Sequence, residues 1–412
     1  MSNAPDVKLL GERADTMIRT LGSISAEPNR LFRAFLTPEH RKAADLVAKW
    51  MRAAKLDVSE DALGTVRGHW AGESKKRLLI GSHIDTVIDG GMFDGPFGVI
   101  AGILAVDHFT QAGRKLPFGI DVLAFGDEEG SRFPTTLTSS MACAGTFDNA
   151  RLDMADKEGV TLRDAIVAYG KDPAALAEAA YKRGEAAAYV EVHIEQGPVL
   201  EYKKQPLGVV TSIAGQSYLN VEFLGEAGHA GTVPMMLRRD ALAGGAEVIL
   251  LAEKMARDTK GDVVATVGQL RIPSAASNVI AGNVALVVDI RSGSNAARQQ
   301  FVDTFKTEIR AIAKRRELGL TITQTRDVAT TPCDQSLQDG IAAAIRSVGG
   351  EPLELSSGAG HDGTAMAKLC PIAMMFVRCR GGISHNPAEY TSPSDMGLAV
   401  AALIRFIETV KL

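Results

Sequence analysis

Hydrophobic and polar positions in the first part of the chain predict helices and strands in turn. FRAFLTPEHRKAADLVAKWMRAAKL (32–56) has the spacing of an amphipathic helix, and KRLLIGSHI (76–84) that of a buried strand. FGVIAGILAVDHFTQAG (97–113) predicts a buried helix, and GIDVLAFGD (119–127) predicts a second strand. This alternation predicts an α/β fold with a mixed, largely parallel sheet, in which ligand sites form at the carboxyl ends of strands.

An alanine-rich, charged stretch interrupts the alternation between residues 148 and 187. Its segment DPAALAEAAYKRGEAAA has the composition of a surface helix. A strand is predicted again at about 188–194, within AYVEVHIEQGPVL.

A different order begins near Thr211. Strand and helix patterns follow one another as β-α-β-β-α-β, which is typical of a ferredoxin-like domain. From about residue 333 the α/β pattern returns, with IAMMFV as a strand and GLAVAALIRFIETVKL as a closing helix. We therefore expect a catalytic domain formed by residues 1–211 and 329–412, and an inserted α+β domain at 212–328.

Composition narrows the kinds of partner. The chain has 412 residues, 46% of them hydrophobic, which suits two or three domains. A net charge of -4 without a long basic run gives no reason to expect nucleic acid or an acidic membrane. The sequence has neither a membrane-spanning apolar run nor an apolar leader, and its four cysteines lack metal-binding or disulfide spacing, so we expect a cytoplasmic protein. Its partner should be a small molecule, and any metal should have nitrogen and oxygen ligands.

The stretch GSHIDTVIDGGMFDGPFGV (81–99) holds the first candidate ligands. Asp85 lies two residues after His83, on the same side of an extended chain, where it could orient a metal-binding and catalytic imidazole. Asp94 follows in a glycine-rich loop. A solvated or locally bonded histidine is the ordinary alternative.

Three further predicted strands end in polar residues. One is followed by DEEGSRF, one by HIEQGP and one by GGISHNPAEY. A solvated turn would also explain the acids, but three of only eight histidines fall just past strands of one sheet. Together these segments predict two divalent ions that share one carboxylate, with zinc, manganese, cobalt or nickel equally compatible. The predicted ligands are His83, Asp94, Glu129, His193 and His385.

Eight motifs in order make the sequence resemble the hydantoinase/carbamoylase family of amidases, within the dinuclear aminoacylase and exopeptidase superfamily. They are GSHIDTV, GGMFDGPFGV, DEEGSRF, HIEQGPVLE, GHAGTVPMMLRRDA, SNVIAGNV with DIRS, SGAGHD and GGISHNPAEYTS. The family includes N-carbamoyl-L-amino acid hydrolases, β-ureidopropionases and allantoate amidohydrolases. The resemblance covers nearly the whole chain.

The resemblance implies a role for each ligand and for a base. Asp94 would bridge the two ions, with His83 and His193 completing one site and Glu129 and His385 completing the other. Glu128 would be the general base, which takes a proton from the attacking water and passes it to the departing ammonia.

The resemblance also implies substrate contacts in the inserted domain. His229 would stabilise the oxyanion, often in the active site of a neighbouring subunit, although by itself it could simply cap a local turn. Asn278 and Arg291 would hold the substrate carboxylate, for which a planar guanidinium is suited. An ion pair within the inserted domain is an equally good reading of Arg291.

In the catalytic domain, the resemblance implies that Gln196 contacts the ureido group. Gly360 and His361 would lie near the substrate or the metal site. The inserted domain would serve as a lid and as the contact surface of a homodimer.

We therefore expect a metal-dependent amidohydrolase that cleaves the ureido C–N bond of N-carbamoyl-L-amino acids, giving the amino acid, ammonia and carbon dioxide. Allantoate amidohydrolase is the alternative. An aminoacylase or dipeptidase is less well supported, because peptidases of the superfamily usually supply an acid soon after the paired glutamates, where this chain offers His193. A binding protein without activity would be expected to have lost a ligand or Glu128, and none is lost.

Overall fold

The computed structural model describes residues 4–273 and 276–412, so the first three residues of the expected catalytic domain lie outside the described residues. Contacts divide the described chain into two compact units. The first unit runs to Thr211 and continues with Cys333–Leu355 and Ala359–Leu412, and the inserted unit holds Ser212–Pro332 and Ser356–Gly358. The inserted unit extends four residues beyond the expected limit at 328, because residues 331–332 pair with residues 212–213.

Helices and strands follow one another along the chain as listed here. The α-helices are α1 (Val7–Gly22), α2 (Pro38–Ala53), α3 (Pro96–Gln111), α4 (Thr138–Cys143), α5 (Leu162–Ala168), α6 (Val199–Tyr202), α7 (Ala241–Asp258), α8 (Asn295–Arg315), α9 (Gln335–Ser347), α10 (Gly363–Met366) and α11 (Pro393–Thr409). The strands are β1 (Asp57–Glu60), β2 (Val66–Trp70), β3 (Arg77–His83), β4 (Gly119–Phe125), β5 (Ala186–Ile194), β6 (Leu207–Ile213), β7 (Gly215–Leu224), β8 (Gly228–His229), β9 (Val263–Arg271), β10 (Val279–Ile280), β11 (Asn283–Ser292), β12 (Gly319–Val328), β13 (Thr331–Pro332), β14 (Leu353–Ser357) and β15 (Ile372–Val377).

The sheet of the first unit has the order β1-β2-β4-β3-β5-β15-β6, with β14 also paired to β6. Its four central strands, β4, β3, β5 and β15, are parallel, and the ladders between β1, β2 and β4 and between β15 and β6 are antiparallel. The predicted mixed, largely parallel sheet is confirmed. Because the four central strands run in the same direction, their carboxyl ends meet at one edge of the sheet.

Helices cover this sheet through apolar faces. The sequence of α3 is apolar on nearly every side, and the helix is buried against β3, β4 and β5. The closing helix α11 packs on α1, α3 and α9, and its apolar residues join the main hydrophobic core. Among the described residues, no helix has the length and apolar character that crossing a membrane requires.

One helix prediction in the first unit is confirmed except for its start, and another is wrong. The amphipathic helix predicted from residue 32 begins only at Pro38, because Thr37 caps it and a proline suits the first helical turn. The alanine-rich stretch forms a 3-10 turn over Pro173–Ala179 and then enters β5, rather than a surface helix. Leu176 and Ala179 are buried in a small apolar cluster, so tertiary packing outweighs the helix propensity of the alanines.

The inserted unit has a four-stranded antiparallel sheet of order β12-β7-β11-β9, with α7 and α8 packed on it. This is the expected β-α-β-β-α-β arrangement. Alternate residues of β7, such as Leu219, Val221 and Phe223, are buried beneath the helices. A separate two-stranded ladder joins β8 to β10.

Candidate metal centre

The carboxyl edge of the parallel sheet collects the predicted ligands. His83 is the last residue of β3, and His193 lies near the end of β5. Glu129 follows β4, and His385 follows β15. The loop before α3 adds Asp94, which is buried. Five residues spread over about 300 positions of sequence therefore converge.

Asp94 divides the set between its two oxygens. Its Oδ1 lies 3.2 Å from Nε2 of His193 and 3.8 Å from Nε2 of His83. Its Oδ2 lies 3.3 Å from Nε2 of His385, and this nitrogen lies 3.5 Å from Oε2 of Glu129. The predicted ligands thus make up two groups that could each hold a metal ion, a first group of His83, Asp94 and His193 and a second group of Asp94, Glu129 and His385. Two further groups among the described residues overlap with them, namely His83 with Glu128 and Glu129, and His193 with Glu191 and His361.

The hydrogen bonds of the two buried histidines fit a cation. Nδ1 of His193 donates to the carbonyl of Ile194 at 2.9 Å, and Nδ1 of His83 donates to the carbonyl of Asp85 at 3.1 Å. In the neutral ring each Nε2 then carries a lone pair directed toward the carboxylate of Asp94. Nε2 of His193 is buried without a hydrogen-bond partner among the described residues. An imidazole nitrogen and a carboxylate oxygen that face each other as acceptors can both bind one divalent ion placed between them.

The pKa values of Glu129 and His385 also favour a cation at the second group. Burial and the neighbouring Asp94 raise the pKa of Glu129 to about 7. Its contact with Asp94 raises the pKa of His385 to about 9. In the absence of a cation, protons therefore compensate the negative charge that an ion would otherwise neutralise.

Glu128 lies beside the groups but is directed differently from Glu129. Its Oε2 is 4.0 Å from Nε2 of His83, and a β-carbon on Gly360 would lie 3.8 Å from its Oε1. Burial raises the pKa of Glu128 well above its usual value, and the charge of Glu129 adds to this rise. A carboxylate whose pKa is raised holds a proton more readily, as a group that accepts and then returns a proton must.

Asp85 organises the turn that carries both glutamates. Its Oδ1 and Oδ2 accept the main-chain N–H groups of Glu128 and Glu129, each at 3.3 Å. The carboxylate also lies 3.6 Å from Nδ1 of His83, which bonds instead to the main-chain oxygen of Asp85. Asp85 thus orients the imidazole through its backbone and the glutamates through its side chain.

Local backbone conformation shapes the site at three positions. Gly95 has a φ of 84°, and a β-carbon there would lie 2.4 Å from the ring of His83. Gln196 and His385 have φ values of 55° and 54°, in the left-handed region that side chains other than glycine seldom adopt. Such conformations cluster at functional sites because the surrounding structure must hold them.

Gln196 contacts Asp94. Its Nε2 donates to Oδ2 of Asp94 at 2.9 Å and lies 3.3 Å from Oγ of Ser384, whereas its buried Oε1 has no hydrogen-bond partner among the described residues. Ser384 also lies 2.9 Å from Oδ2 of Asp94. Sequence reasoning missed Ser384, and its position next to His385 was the only signal for it.

His361 is buried against the first group. Its ring lies edge-on to that of His193, with 4.5 Å between ring centroids. Burial lowers the pKa of His361 well below its usual value, so the ring is neutral. The predicted proximity of His361 and Gly360 to the metal groups is therefore present in the first unit.

Two of the predicted substrate contacts in the inserted unit lie together. His229 on β8 pairs with Val279 on β10, and the carbonyl of Asn278 accepts the N–H of Ala230 at 2.9 Å. Nδ1 of His229 accepts the N–H of Gly231 at 3.1 Å, which is the local bond of a turn-capping histidine. This bond leaves the proton of the neutral ring on the exposed Nε2, as a donor.

Arg291 on β11 is engaged in an ion pair. Its Nε and Nη2 donate to the carboxylate of Asp289 over 2.8–3.2 Å, and its Nη1 donates to the carbonyl of Gly358 at 2.7 Å. Gln216 donates to the same carboxylate. A guanidinium has five N–H groups, and Asp289, Gly358 and Tyr218 do not use all of them, so Arg291 can still donate to a ligand. The ion pair of Arg291 within the inserted unit is therefore compatible with a contact to the substrate carboxylate.

Residues 79–409 match the model of peptidase family M20/M25/M40, which is most of the chain. The chain belongs to this family. This M20 protein is a hydrolase by family, and similar proteins match it over nearly its full length. An N-carbamoyl-L-amino acid amidohydrolase from Geobacillus stearothermophilus is 40% identical, covering 95% of this chain and 97% of that protein. A probable allantoate deiminase from Oryza sativa subsp. japonica is 39% identical, covering 97% and 89%. The crystal structure of a hydantoinase/carbamoylase family amidase from Burkholderia multivorans has a TM-score of 0.92 at 30% identity, covering 99% and 98%.

Proposed function

We propose that this M20 protein is a two-metal amidohydrolase that cleaves the terminal ureido C–N bond of N-carbamoyl-L-amino acids. The observation that carries the proposal is the division of the Asp94 carboxylate between two ligand groups. The similarity to an N-carbamoyl-L-amino acid amidohydrolase supports the ureido substrate.

His83, His193 and Oδ1 of Asp94 would hold one ion, and Glu129, His385 and Oδ2 of Asp94 the other. When bound, two divalent ions polarise a carbonyl group and make water a stronger nucleophile at neutral pH. Imidazole and carboxylate ligands suit zinc, manganese, cobalt or nickel.

Glu128 moves the proton in this proposal. Its carboxylate takes a proton from water as the oxygen attacks the ureido carbon, and it returns this proton to the terminal nitrogen as the C–N bond breaks. Ammonia leaves, and the carbamate that remains on the amino acid loses carbon dioxide. The reaction consumes one water and gives one amino acid, one ammonia and one carbon dioxide.

The remaining predicted residues would bind and orient the substrate. His229 would donate from Nε2 to the developing oxyanion, and Asn278 and Arg291 would hold the carboxylate. The unpaired Oε1 of Gln196 would accept a ureido N–H, and His361 would support the ring of His193.

We also propose that the inserted unit acts as a lid and forms a homodimer. The four cysteines are free and buried, which supports a cytoplasmic location.

Allantoate is the second candidate substrate. The similarity to a probable allantoate deiminase equals the similarity to the N-carbamoyl-L-amino acid amidohydrolase within one per cent of identity. Allantoate also carries ureido groups and a carboxylate, so the same residues would serve both substrates.

The test uses metal-stripped protein, with and without added manganese, cobalt, nickel or zinc. Ammonia release is measured from N-carbamoyl-L-amino acids, N-carbamoyl-β-alanine and allantoate, and release of the free amino acid is measured from N-acetyl amino acids and dipeptides as controls. We expect metal-dependent turnover of N-carbamoyl-L-amino acids. Turnover of allantoate alone would replace the substrate, and turnover of only acyl or peptide substrates would contradict the ureido assignment.

A further inference from the structure

Asp94 is held by the segment on either side of His385, through both its main chain and its carboxylate. Oε1 of Glu389 accepts the N–H of Phe93 at 2.9 Å and that of Asp94 at 3.1 Å. Oε2 of Glu389 accepts the hydroxyl of Ser384 at 2.9 Å. The same hydroxyl lies 2.9 Å from Oδ2 of Asp94. Glu389 therefore touches Asp94 directly and is linked to it again through Ser384.

The hydroxyl of Ser384 is placed to serve either carboxylate. It has one hydrogen, so it can donate to Glu389 or to Asp94 but not to both at once. When Oδ2 of Asp94 faces a cation, that oxygen no longer needs the hydrogen, and Ser384 can donate it to Glu389. With a cation bound, Asp94 would thus be paired with the ion and Glu389 with the Ser384 hydroxyl, so neither carboxylate would lack a partner.

The loop that carries Asp94 is shaped around Glu389. Glu389 is 5% exposed, and a β-carbon on Gly91 would lie 2.2 Å from its carboxylate. The absence of a side chain at Gly91 therefore lets the loop come this close. Burying a carboxylate is costly unless hydrogen bonds compensate it, and here those bonds end on Asp94 and its neighbour.

We propose that Glu389 and Ser384 are positioning residues that hold Asp94 in the orientation in which its two oxygens serve two ions. The inference rests on the metal centre proposed above but not on the identity of the substrate. Loss of such an orienting partner typically lowers metal affinity about 10- to 100-fold. We expect a loss of this size in Glu389→Ala. Glu389→Gln should stay closer to wild type, because its amide oxygen can still accept both main-chain N–H groups.

The test measures metal binding without any substrate. Metal-stripped full-length proteins are titrated with Co²⁺ in competition with a chelator, and the cobalt absorption spectrum is recorded. The variants are Glu389→Ala, Glu389→Gln and Ser384→Ala. The matched control is Asp395→Ala, which removes an equally buried carboxylate from the same part of the chain. Asp395 binds Arg378 at 2.8 and 3.0 Å and touches none of the proposed ligands in its described hydrogen bonds.

Weaker Co²⁺ binding and an altered spectrum in Glu389→Ala and Ser384→Ala, with wild-type binding in Asp395→Ala, would support the proposal. Wild-type affinity in folded Glu389→Ala would overturn it, as would an equal loss in the Asp395 control. If Glu389→Ala does not fold, Ser384→Ala decides, because it removes only a hydroxyl group. Wild-type protein that binds no Co²⁺ would instead overturn the metal centre itself, and with it this inference.

Discussion

Replacing Gly95 by alanine tests the geometry of His83 without assuming any substrate. Gly95 and Gly170 both have a φ of 84°, a positive value at which an alanine costs at least about 1–2 kcal/mol; the ψ of −62° places Gly95 outside the left-handed helical region. At Gly170 the new β-carbon would meet nothing within 4 Å, whereas at Gly95 it would lie 2.4 Å from the His83 ring. Overpacking of this kind costs about 1–3 kcal/mol more. We therefore expect Gly95→Ala to lose about 2–5 kcal/mol of unfolding free energy and Gly170→Ala only about 1–2 kcal/mol.

The assay is denaturant unfolding of both metal-stripped variants, followed by Co²⁺ titration of the folded proteins. Because the new β-carbon overlaps the His83 ring and must displace it, metal affinity should fall in Gly95→Ala and stay at the wild-type level in Gly170→Ala. Equal destabilisation of the two variants would refute the steric argument. Unchanged metal affinity in a destabilised Gly95→Ala would refute the assignment of His83 as a ligand.

Three further predictions address the base, the protons and the carboxylate contact. Glu128→Gln should lower kcat about 10²- to 10⁴-fold while keeping Co²⁺ affinity, whereas Glu129→Gln should lose Co²⁺ affinity. If kinetics and titration show the opposite pattern, Glu129 is the base and Glu128 the metal ligand. In metal-free protein, the pKa values of about 7 for Glu129 and about 9 for His385 lie above the values of the unfolded chain, so the folded state binds more protons than the unfolded state. The thermal midpoint of unfolding should therefore decrease as the pH is raised from 6.5 to 9. Saturating Zn²⁺ should reduce this fall, because ions bind the deprotonated ligands, and a midpoint that rises with pH would contradict the prediction. Asp289→Asn should raise KM with little change in kcat or Co²⁺ affinity, because it loosens Arg291, and steady-state kinetics that show an unchanged KM would argue against a substrate contact there.

The fold was predictable where burial follows a regular period. In β7 and β11 every second residue is buried, so the pattern shows both the strand and the face that packs on the helices. The wholly apolar β15 and the short apolar runs within β3 and β4 likewise indicate strands covered on both faces. The helix α1 was missed although Leu10, Ala14 and Ile18 recur every four residues, which is the spacing of an amphipathic helix. The 3-10 turn at residues 173–179 could not be read from alanine content, because its apolar contacts come from distant segments.

The candidate site was predictable in its residue types and not in its contacts. Histidines and acids just past predicted strands identified the five proposed ligands, since parallel strands deliver their carboxyl ends to one edge. The contact of Gln196 with Asp94 was not predictable, and neither were the bonds of Glu389 to the loop around Asp94. A left-handed backbone at Gln196 sets the direction of its side chain, and no local pattern announces that conformation.

The sequence by itself thus indicated the central strands of the first unit and the order of elements in the inserted unit, and it provided the prediction of which side chains carry metal-binding chemistry. Only the tertiary structure decided that Oδ1 of Asp94 faces His83 and His193 while Oδ2 faces His385, and that a residue 295 positions away bonds to the main chain of Asp94. The physical reason is that the periodicity of a chain reports local conformation and burial. Distances of about 3 Å between residues far apart in sequence depend on strand order and on the packing of loops that have no period.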